Sequence, residues 1–311
     1  MTFALIFPGQ GSQSVGMMNG FAENSAVRAA FEEAAEVLGR DMWRLAQEGP
    51  EEDQNLTVNT QPLMLTAGVA VFRAWTQAGG RAPSLLAGHS LGEYSAWVAS
   101  GSLRFRDALP LVRLRAQAMQ EAVPVGTGAM AAILGLSDDA VHEACTEAAQ
   151  GEVVEAVNFN APQQVVIAGH RAAVERAAAV AKMKGARRAL LLPVSAPFHS
   201  SLLAPAAERL AQALADIELT APAVPVVNNV DAAQVATPDE IRSALARQAC
   251  RPVRWVESVR RIADSNVDCI IECGPGRVLA GLTRRIAPRV ESLALTDEAA
   301  AAKAREAVAH G

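Results

Sequence analysis

The sequence contains few aromatic residues, few cysteines and no surplus of basic charge. Aromatic residues make up 4% of the 311 residues although half of the chain is apolar, so alanine, valine and leucine must fill most of the interior. The four cysteines form no CxxC pair, which gives no indication of a zinc site or any other metal site. A net charge of −5 argues against a general nucleic-acid binder, while it leaves room for a local basic patch.

The sequence shows no pattern that predicts a secretory leader or a membrane-spanning helix. Residues 1–7 are too short and too poor in basic residues for a secretory leader. No apolar run approaches the ~20 residues that a membrane-spanning helix needs. From the sequence we therefore expect a soluble, cytoplasmic protein with reduced thiols, and neither a membrane nor a nucleic acid as a partner.

Alternating strand and helix patterns predict an α/β fold. Residues 3–7 are an unbroken apolar run, typical of a strand buried on both faces of a parallel sheet. We expect a large hydrolase-like domain from residues 1–125 and 196–311, with helices flanking a mostly parallel sheet. Between them, residues 126–195 show the order β-α-β-β-α-β, which predicts an inserted ferredoxin-like subdomain.

Two boundaries within this scheme depend on proline. A helix over 61–78 is expected to begin at Thr60, with Pro62 in its first turn. In the small subdomain, residues 160–162 (Asn-Ala-Pro) are expected to connect strands at 153–158 and 164–168.

A serine lies between two glycines at a predicted strand-to-helix turn. Gly88, Ser90 and Gly92 match G-x-S-x-G, with an apolar run at 84–87 before them and a helical stretch after them. Such a match can arise by chance in a chain with 22 glycines, but the strand and helix are the context that the motif requires. The pattern predicts that Ser90 is the nucleophile of an acyl-transfer enzyme, facing the first N–H groups of the helix.

A serine nucleophile needs a general base, and the chain has five histidines. His89 adjoins the nucleophile, His142 and His170 fall on predicted helices, and His310 is next to the C-terminus. His199 follows an apolar strand, at the edge where α/β sheets place their sites, and is therefore the predicted base. The alternative is a loop histidine without a chemical role.

The acid that completes a hydrolase triad normally falls between serine and histidine in the chain. Asp138 and Asp139 look like helix-start residues, and no other acid in that interval stands out. We therefore expect a dyad in which a neutral acceptor orients the imidazole.

Arg115 occupies an apolar position of the helix predicted over 105–122. Its neighbours at i, i+3 and i+4 spacing are apolar, and a buried guanidinium needs a partner. Arg115 could form a structural ion pair, or it could extend its guanidinium to water. It could instead bind a substrate carboxylate through two parallel hydrogen bonds, as a bidentate fork. Arg113 lies off this face and is the weaker candidate.

Several motifs occur together in one order along the chain. They are Phe7-Pro-Gly-Gln-Gly-Ser-Gln13, Gly88-His-Ser-Leu-Gly-Glu93, Arg115, Asn158-Phe-Asn-Ala-Pro162, Phe198-His199, Gln248 before Arg251-Pro-Val-Arg-Trp255, and Gly274-Pro-Gly276. This set resembles the malonyl-CoA:acyl carrier protein transacylases of bacterial type II fatty acid synthesis, from Met1 to about Leu295.

The resemblance implies a ping-pong transfer without a cofactor. Ser90, activated by His199, would take the malonyl group from malonyl-CoA and pass it to the phosphopantetheine thiol of an acyl carrier protein. The resemblance also implies that the Gln10 and Leu91 N–H groups form the oxyanion hole and that Arg115 binds the malonyl carboxylate. It implies that the Gln248 main-chain carbonyl orients His199 and that Phe198 would crowd a 2-methyl substituent. Gln61 and Asn160 would line the pocket.

Three other functions stay open at this point. A serine esterase or thioesterase shares the G-x-S-x-G motif but needs neither Arg115 nor the first glycine-rich loop. An acyltransferase that serves a polyketide synthase in trans, or a malonate decarboxylase, would show the same residues. A docking module without activity would not need Ser90, His199 and Arg115 together.

An acidic carrier protein would require a positive patch on this acidic chain. Two basic clusters are candidates, and each is also compatible with an ordinary solvated face: Lys182, Lys184, Arg187 and Arg188 in the small subdomain, and Arg277, Arg284 and Arg285 near the C-terminal end.

Overall fold

The computed structural model describes residues 1–194 and 196–309, so Ser195, His310 and Gly311 lie outside the described residues. The strands are β1 Phe3–Phe7, β2 Leu85–Gly88, β3 Gly128–Leu134, β4 Val154–Ala161, β5 Gln164–His170, β6 Arg188–Leu191, β7 Val226–Val227, β8 Cys269–Glu272 and β9 Glu291–Ala294. The α-helices are α1 Ser25–Leu38, α2 Met42–Glu48, α3 Glu51–Asn55, α4 Thr57–Gln77, α5 Gly92–Ala99, α6 Phe105–Glu121, α7 Asp138–Ala149, α8 Arg171–Met183, α9 Ala204–Ala215, α10 Pro238–Gln248, α11 Trp255–Ala263, α12 Val278–Ile286 and α13 Glu298–Ala309.

The larger sheet is parallel throughout and has the strand order β7-β2-β1-β8-β9. Its central strand β1 is buried along its whole length, as predicted. Phe3, Leu5 and Phe7 pack into one apolar cluster, and Ala4 and Ile6 pack into another on the opposite face. Helices therefore cover both faces of this sheet.

The smaller sheet is antiparallel, with the order β4-β5-β3-β6, and α7 and α8 pack against it around a separate apolar cluster. The fold class, a parallel sheet flanked by helices plus a small antiparallel sheet, is confirmed. The four strands of this sheet and its two helices all fall within 126–195, and β4 also bonds to the larger part, where the Phe159 N–H donates to the Val253 carbonyl at 3.0 Å. The division into two domains at those boundaries stays a prediction.

Both boundaries argued from proline are wrong. Helix α4 begins at Thr57 and carries Pro62 as its sixth residue, where the proline removes one helical hydrogen bond, to the Val58 carbonyl, without ending the helix; Thr57 and Thr60 are buried in the additional turn. Asn160 belongs to β4, and the chain reverses at 162–163 instead, where Gln163 adopts a φ of 60°. Helices α2 and α3 had no sequence prediction.

The carboxyl ends of β1, β2 and β7 meet at one edge of the parallel sheet. Their following loops carry Gln10, Ser90 and Asn229 respectively. This edge is where open α/β sheets place ligand sites, and it lies beside the loop that carries His199.

Candidate active site

Ser90 sits in a tight turn between β2 and α5, with a φ of 51°. The flanking glycines are required by space: a Cβ on Gly88 would lie 1.9 Å from the Gly92 carbonyl carbon, and one on Gly92 would lie 2.0 Å from the Phe7 carbonyl oxygen. A left-handed serine is costly and persists only where its surroundings hold it. The geometry is that of a nucleophile elbow.

Asn229, after β7, holds the elbow from the side. Its Oδ1 accepts the Ser90 N–H at 2.7 Å, and its Nδ2 donates to the Gly88 carbonyl at 2.6 Å. Sequence reasoning missed this residue, because its role depends on β7 lying next to β2. The only local signal was a pair of asparagines directly after a strand.

The Ser90 hydroxyl lies 2.7 Å from His199 Nε2. The other ring nitrogen, Nδ1, lies 2.8 Å from the main-chain carbonyl of Gln248. A carbonyl only accepts, so Nδ1 carries the proton and Nε2 is left to accept from the serine hydroxyl. The imidazole is thus held in the tautomer that a general base needs.

His199 is also kept neutral. Burial of the ring and, next in size, the charge of Arg115 lower its pKa from 6.5 to about 3. Among the other histidines in the described part of the chain, His89 Nε2 bonds to Asn160 Oδ1 at 2.8 Å and His170 Nδ1 accepts the Val153 N–H at 2.9 Å. His199 is the histidine whose ring contacts the nucleophile.

Arg115 lies on α6 with 1% of its surface exposed. Its two terminal nitrogens donate to Gln61 Oε1 at 2.7 Å, to Gln248 Oε1 at 2.8 Å and to Ser90 Oγ at 3.2 Å. All three acceptors are neutral, so within the described residues no carboxylate contacts the guanidinium directly. The Arg115 guanidinium therefore lies at the nucleophile, and its charge is available to pair with an anionic group.

Glu93 is the acid that sequence reasoning passed over. It lies one helical turn after Ser90 and is fully buried. Its Oε2 accepts from Gln248 Nε2 at 2.8 Å and from the Asn229 N–H at 2.9 Å. Burial raises its pKa and these donors oppose the rise. A charged residue among the apolar positions of α5 was the signal that could have found it.

The loop after β1 packs directly on the elbow. A Cβ on Gly9 would lie 2.4 Å from the His89 carbonyl oxygen and 3.6 Å from the Leu91 nitrogen. Leu91 immediately precedes α5, where N–H groups have no acceptor within the helix. Gly9, the residue before Gln10, thus packs against the start of α5, and the service of Gln10 and Leu91 as an oxyanion hole stays a prediction.

The remaining predicted pocket residues contact the network at different points. Gln61 bonds to Arg115, whereas Asn160 bonds to His89 and so joins β4 to the elbow. Phe198 is largely buried beside the base. No cluster of three or more potential metal ligands occurs in residues 1–194 and 196–309, and none of the helices described there could span a membrane.

Comparison with known proteins gives a consistent relationship. The acyl transferase domain family matches residues 4–296. A malonyl CoA-acyl carrier protein transacylase of Escherichia coli strain K12 is 54% identical over 305 residues, covering 98% of this chain and 99% of the relative. One from Bacillus subtilis strain 168 is 43% identical, covering 94% and 93%.

Solved structures agree over the same length. An acyl-carrier-protein S-malonyltransferase from Burkholderia pseudomallei 1710b superimposes with a TM-score of 0.97 at 59% identity, covering 98% of this chain and all of the other. A malonyl-transacylase in complex with its type II PKS acyl-carrier protein superimposes with a TM-score of 0.97 at 51% identity, covering 99% of this chain and all of the other. The chain therefore belongs to the acyl transferase family and, within it, to the malonyl CoA-acyl carrier protein transacylases.

Proposed function

We propose that this protein transfers a malonyl group from malonyl-CoA, through a malonyl ester on Ser90, to the phosphopantetheine thiol of an acyl carrier protein. The observation that carries the proposal is that Ser90 Oγ contacts both a neutral imidazole and an arginine fork. A base explains acyl transfer, and the fork explains the choice of an acyl group that carries a carboxylate.

In the first half-reaction, His199 Nε2 takes the Ser90 hydroxyl proton while Oγ attacks the thioester carbonyl carbon. The resulting oxyanion binds the Gln10 and Leu91 N–H groups, where one donor is typically worth ~10²–10³-fold in rate. Collapse breaks the C–S bond, and the departing CoA thiolate takes the proton from His199. Arg115 pairs with the malonyl carboxylate throughout.

The second half-reaction runs the same steps in reverse with a different thiol. His199 takes the proton of the carrier thiol, whose sulfur attacks the Ser90 ester. The C–O bond breaks, and the serine oxygen recovers its proton from His199. His199 is oriented by a carbonyl rather than a carboxylate, which stabilises the imidazolium less and suits transfer to a thiol over transfer to water.

The proposal places the reaction in the cytoplasm and in fatty acid synthesis. The four cysteines are free thiols, as expected in a reducing compartment. A second candidate is supply of malonyl groups to a polyketide synthase, which is favoured by the relative solved with a type II PKS acyl-carrier protein. The two candidates share the chemistry and differ in the carrier protein.

The test is incubation with malonyl-CoA, followed by peptide mass mapping and then by addition of a phosphopantetheinylated carrier protein. We expect a malonyl adduct on the peptide that contains Ser90 and its loss to the carrier. Transfer mainly to water would make the protein a thioesterase. Carriers from fatty acid and polyketide systems, compared at equal concentration, separate the two candidate pathways.

A further inference from the structure

In every described hydrogen bond of Glu93, the carboxyl group is the acceptor and the partner is the donor. Its Oε1 accepts the Trp97 indole N–H at 3.2 Å, and its Oε2 accepts from Gln248 Nε2 and the Asn229 N–H. A protonated carboxyl would have to donate one hydrogen bond, and none of these partners is arranged to accept it. These donors therefore favour the ionised carboxylate and oppose the burial that raises the pKa of Glu93.

The side chain of Gln248 connects this carboxylate to Arg115. Its Nε2 donates to Glu93 Oε2 at 2.8 Å and to the Ser90 carbonyl at 2.9 Å, while its Oε1 accepts from Arg115 at 2.8 Å. A carboxylate only accepts and a guanidinium only donates, so the two charges together fix which way the amide points. A buried anion and a buried cation thus face each other across one amide group.

We propose that Glu93 is a positioning residue that acts through the Gln248 amide to hold Arg115, fully charged, at the nucleophile for an anionic acyl group. The inference rests on the proposed function, because it explains how the fork for the malonyl carboxylate is maintained. The Glu93 charge, together with Tyr94, partly offsets the burial of the guanidinium, which lowers the pKa of Arg115. It is also distant enough to leave the Arg115 fork without a direct carboxylate partner.

Selectivity for an anionic acyl group is the property that this arrangement should control. Without the Glu93 charge, the buried guanidinium keeps neutral acceptors and the Tyr94 ring but has no nearby anion among the described residues, so it gains by turning away from Ser90 toward water. Malonyl transfer needs the fork in place, whereas acetyl transfer needs only the Ser90–His199 pair. A merely structural role of Glu93 would lower both reactions together.

The test is Glu93→Gln, which keeps the shape and an acceptor oxygen but removes the charge. We expect the malonyl-to-acetyl ratio of kcat/KM to fall by about tenfold, the scale of one hydrogen bond to a charged group. Gln248→Met, which removes the amide but keeps the main-chain carbonyl for His199, should lower the ratio similarly. If Glu93→Gln does not fold, the Gln248 variant still tests the connection.

Glu272→Gln is the matched control. Glu272 is equally buried but bonds to the N-terminus of α12, where its Oε2 accepts the Ala280 N–H at 2.8 Å. Its replacement should change stability and leave the malonyl-to-acetyl ratio as in the wild type. A ratio unchanged in Glu93→Gln, or lowered equally in Glu272→Gln, overturns the inference.

A double variant tests the route of the effect. If Glu93 acts through Arg115, adding Glu93→Gln to Arg115→Ala should lower the ratio no further. Fully additive losses would contradict the route through Gln248. The wild-type protein in the same assay tests the proposed function separately. If the wild type transfers malonyl groups but Glu93→Gln keeps the wild-type malonyl-to-acetyl ratio, only the inference is refuted.

Discussion

The Ser90 N–H donates to the Asn229 side-chain oxygen at 2.7 Å, although the two residues are 139 positions apart. This bond stabilises the positive φ of Ser90 and also occupies the serine's own N–H group. An oxyanion formed at Ser90 must therefore find its donors elsewhere. We expect Leu91, the next residue in the chain, and Gln10, on the loop that packs against the elbow, to supply them.

Asn229→Ala should impair both the elbow and the reaction. The Ser90 N–H and the Gly88 carbonyl would lose their partner, at a cost of about 1–3 kcal/mol in the free energy of unfolding, and acylation of Ser90 should slow. Urea unfolding and the initial rate of adduct formation measure the two effects. The control is Asn228→Ala, because the Asn228 side chain bonds within its own turn, to the Ala233 carbonyl and the Asp231 N–H. Equal slowing in both variants would contradict a specific role for Asn229.

Arg115→Ala should damage malonyl transfer far more than acetyl transfer. The loss of a charge-assisted pair with the malonyl carboxylate predicts a fall of about 10- to 100-fold in kcat/KM for malonyl-CoA beyond any fall for acetyl-CoA. Arg113→Ala is the matched control, since Arg113 lies on the same helix and is exposed. Equal losses with both substrates would make Arg115 structural.

The sequence was sufficient for the fold class and for the residues that lie in strong local patterns. The apolar run of β1, the elbow glycines and the apolar face around Arg115 each predict their surroundings from short-range chemistry. Asn229 and Glu93 could not be found in this way. Their roles depend on parallel pairing of β2 with β7, and on α10 placing Gln248 against α5, which no local pattern encodes.

The pH dependence of the reaction should reveal the state of His199. Its pKa is lowered from 6.5 to about 3, first by burial and then by Arg115. The base is active when neutral, so the acid limb of kcat/KM should lie well below 6.5 in the wild type. In Arg115→Gln, assayed with acetyl-CoA, the limb should move to higher pH. A wild-type limb near 6.5 would contradict this.

The same shift predicts how stability depends on pH. The unfolded protein binds a proton to His199 near 6.5, whereas the folded protein resists protonation until about 3. This contribution to the free energy of unfolding is therefore fully present above about 6.5 and is lost as the pH falls toward about 3. Urea unfolding of His199→Ala beside the wild type should show a weaker acid destabilisation in the variant. An unchanged slope would refute the shift.

Two helical glycines should respond in opposite ways to the same substitution. A Cβ on Gly92 would lie 2.0 Å from the Phe7 carbonyl oxygen, so Gly92→Ala must push α5 away from the end of β1. Overpacking of this kind typically costs about 1–3 kcal/mol, and it would also separate Leu91 from the loop that carries Gln10. Gly281, inside α12, has no atom within 4 Å of its Cβ position apart from its chain neighbours and the backbone of its own helix.

Gly281→Ala should therefore raise the free energy of unfolding by about 0.5–1 kcal/mol, through the better helix propensity of alanine, and leave acylation of Ser90 unchanged. Urea unfolding and the rate of malonyl adduct formation, measured on both variants, separate a general effect of a new methyl group from one specific to the elbow. If Gly92→Ala were acylated as fast as the wild type, close packing of the β1 loop on the elbow would not be needed for the reaction.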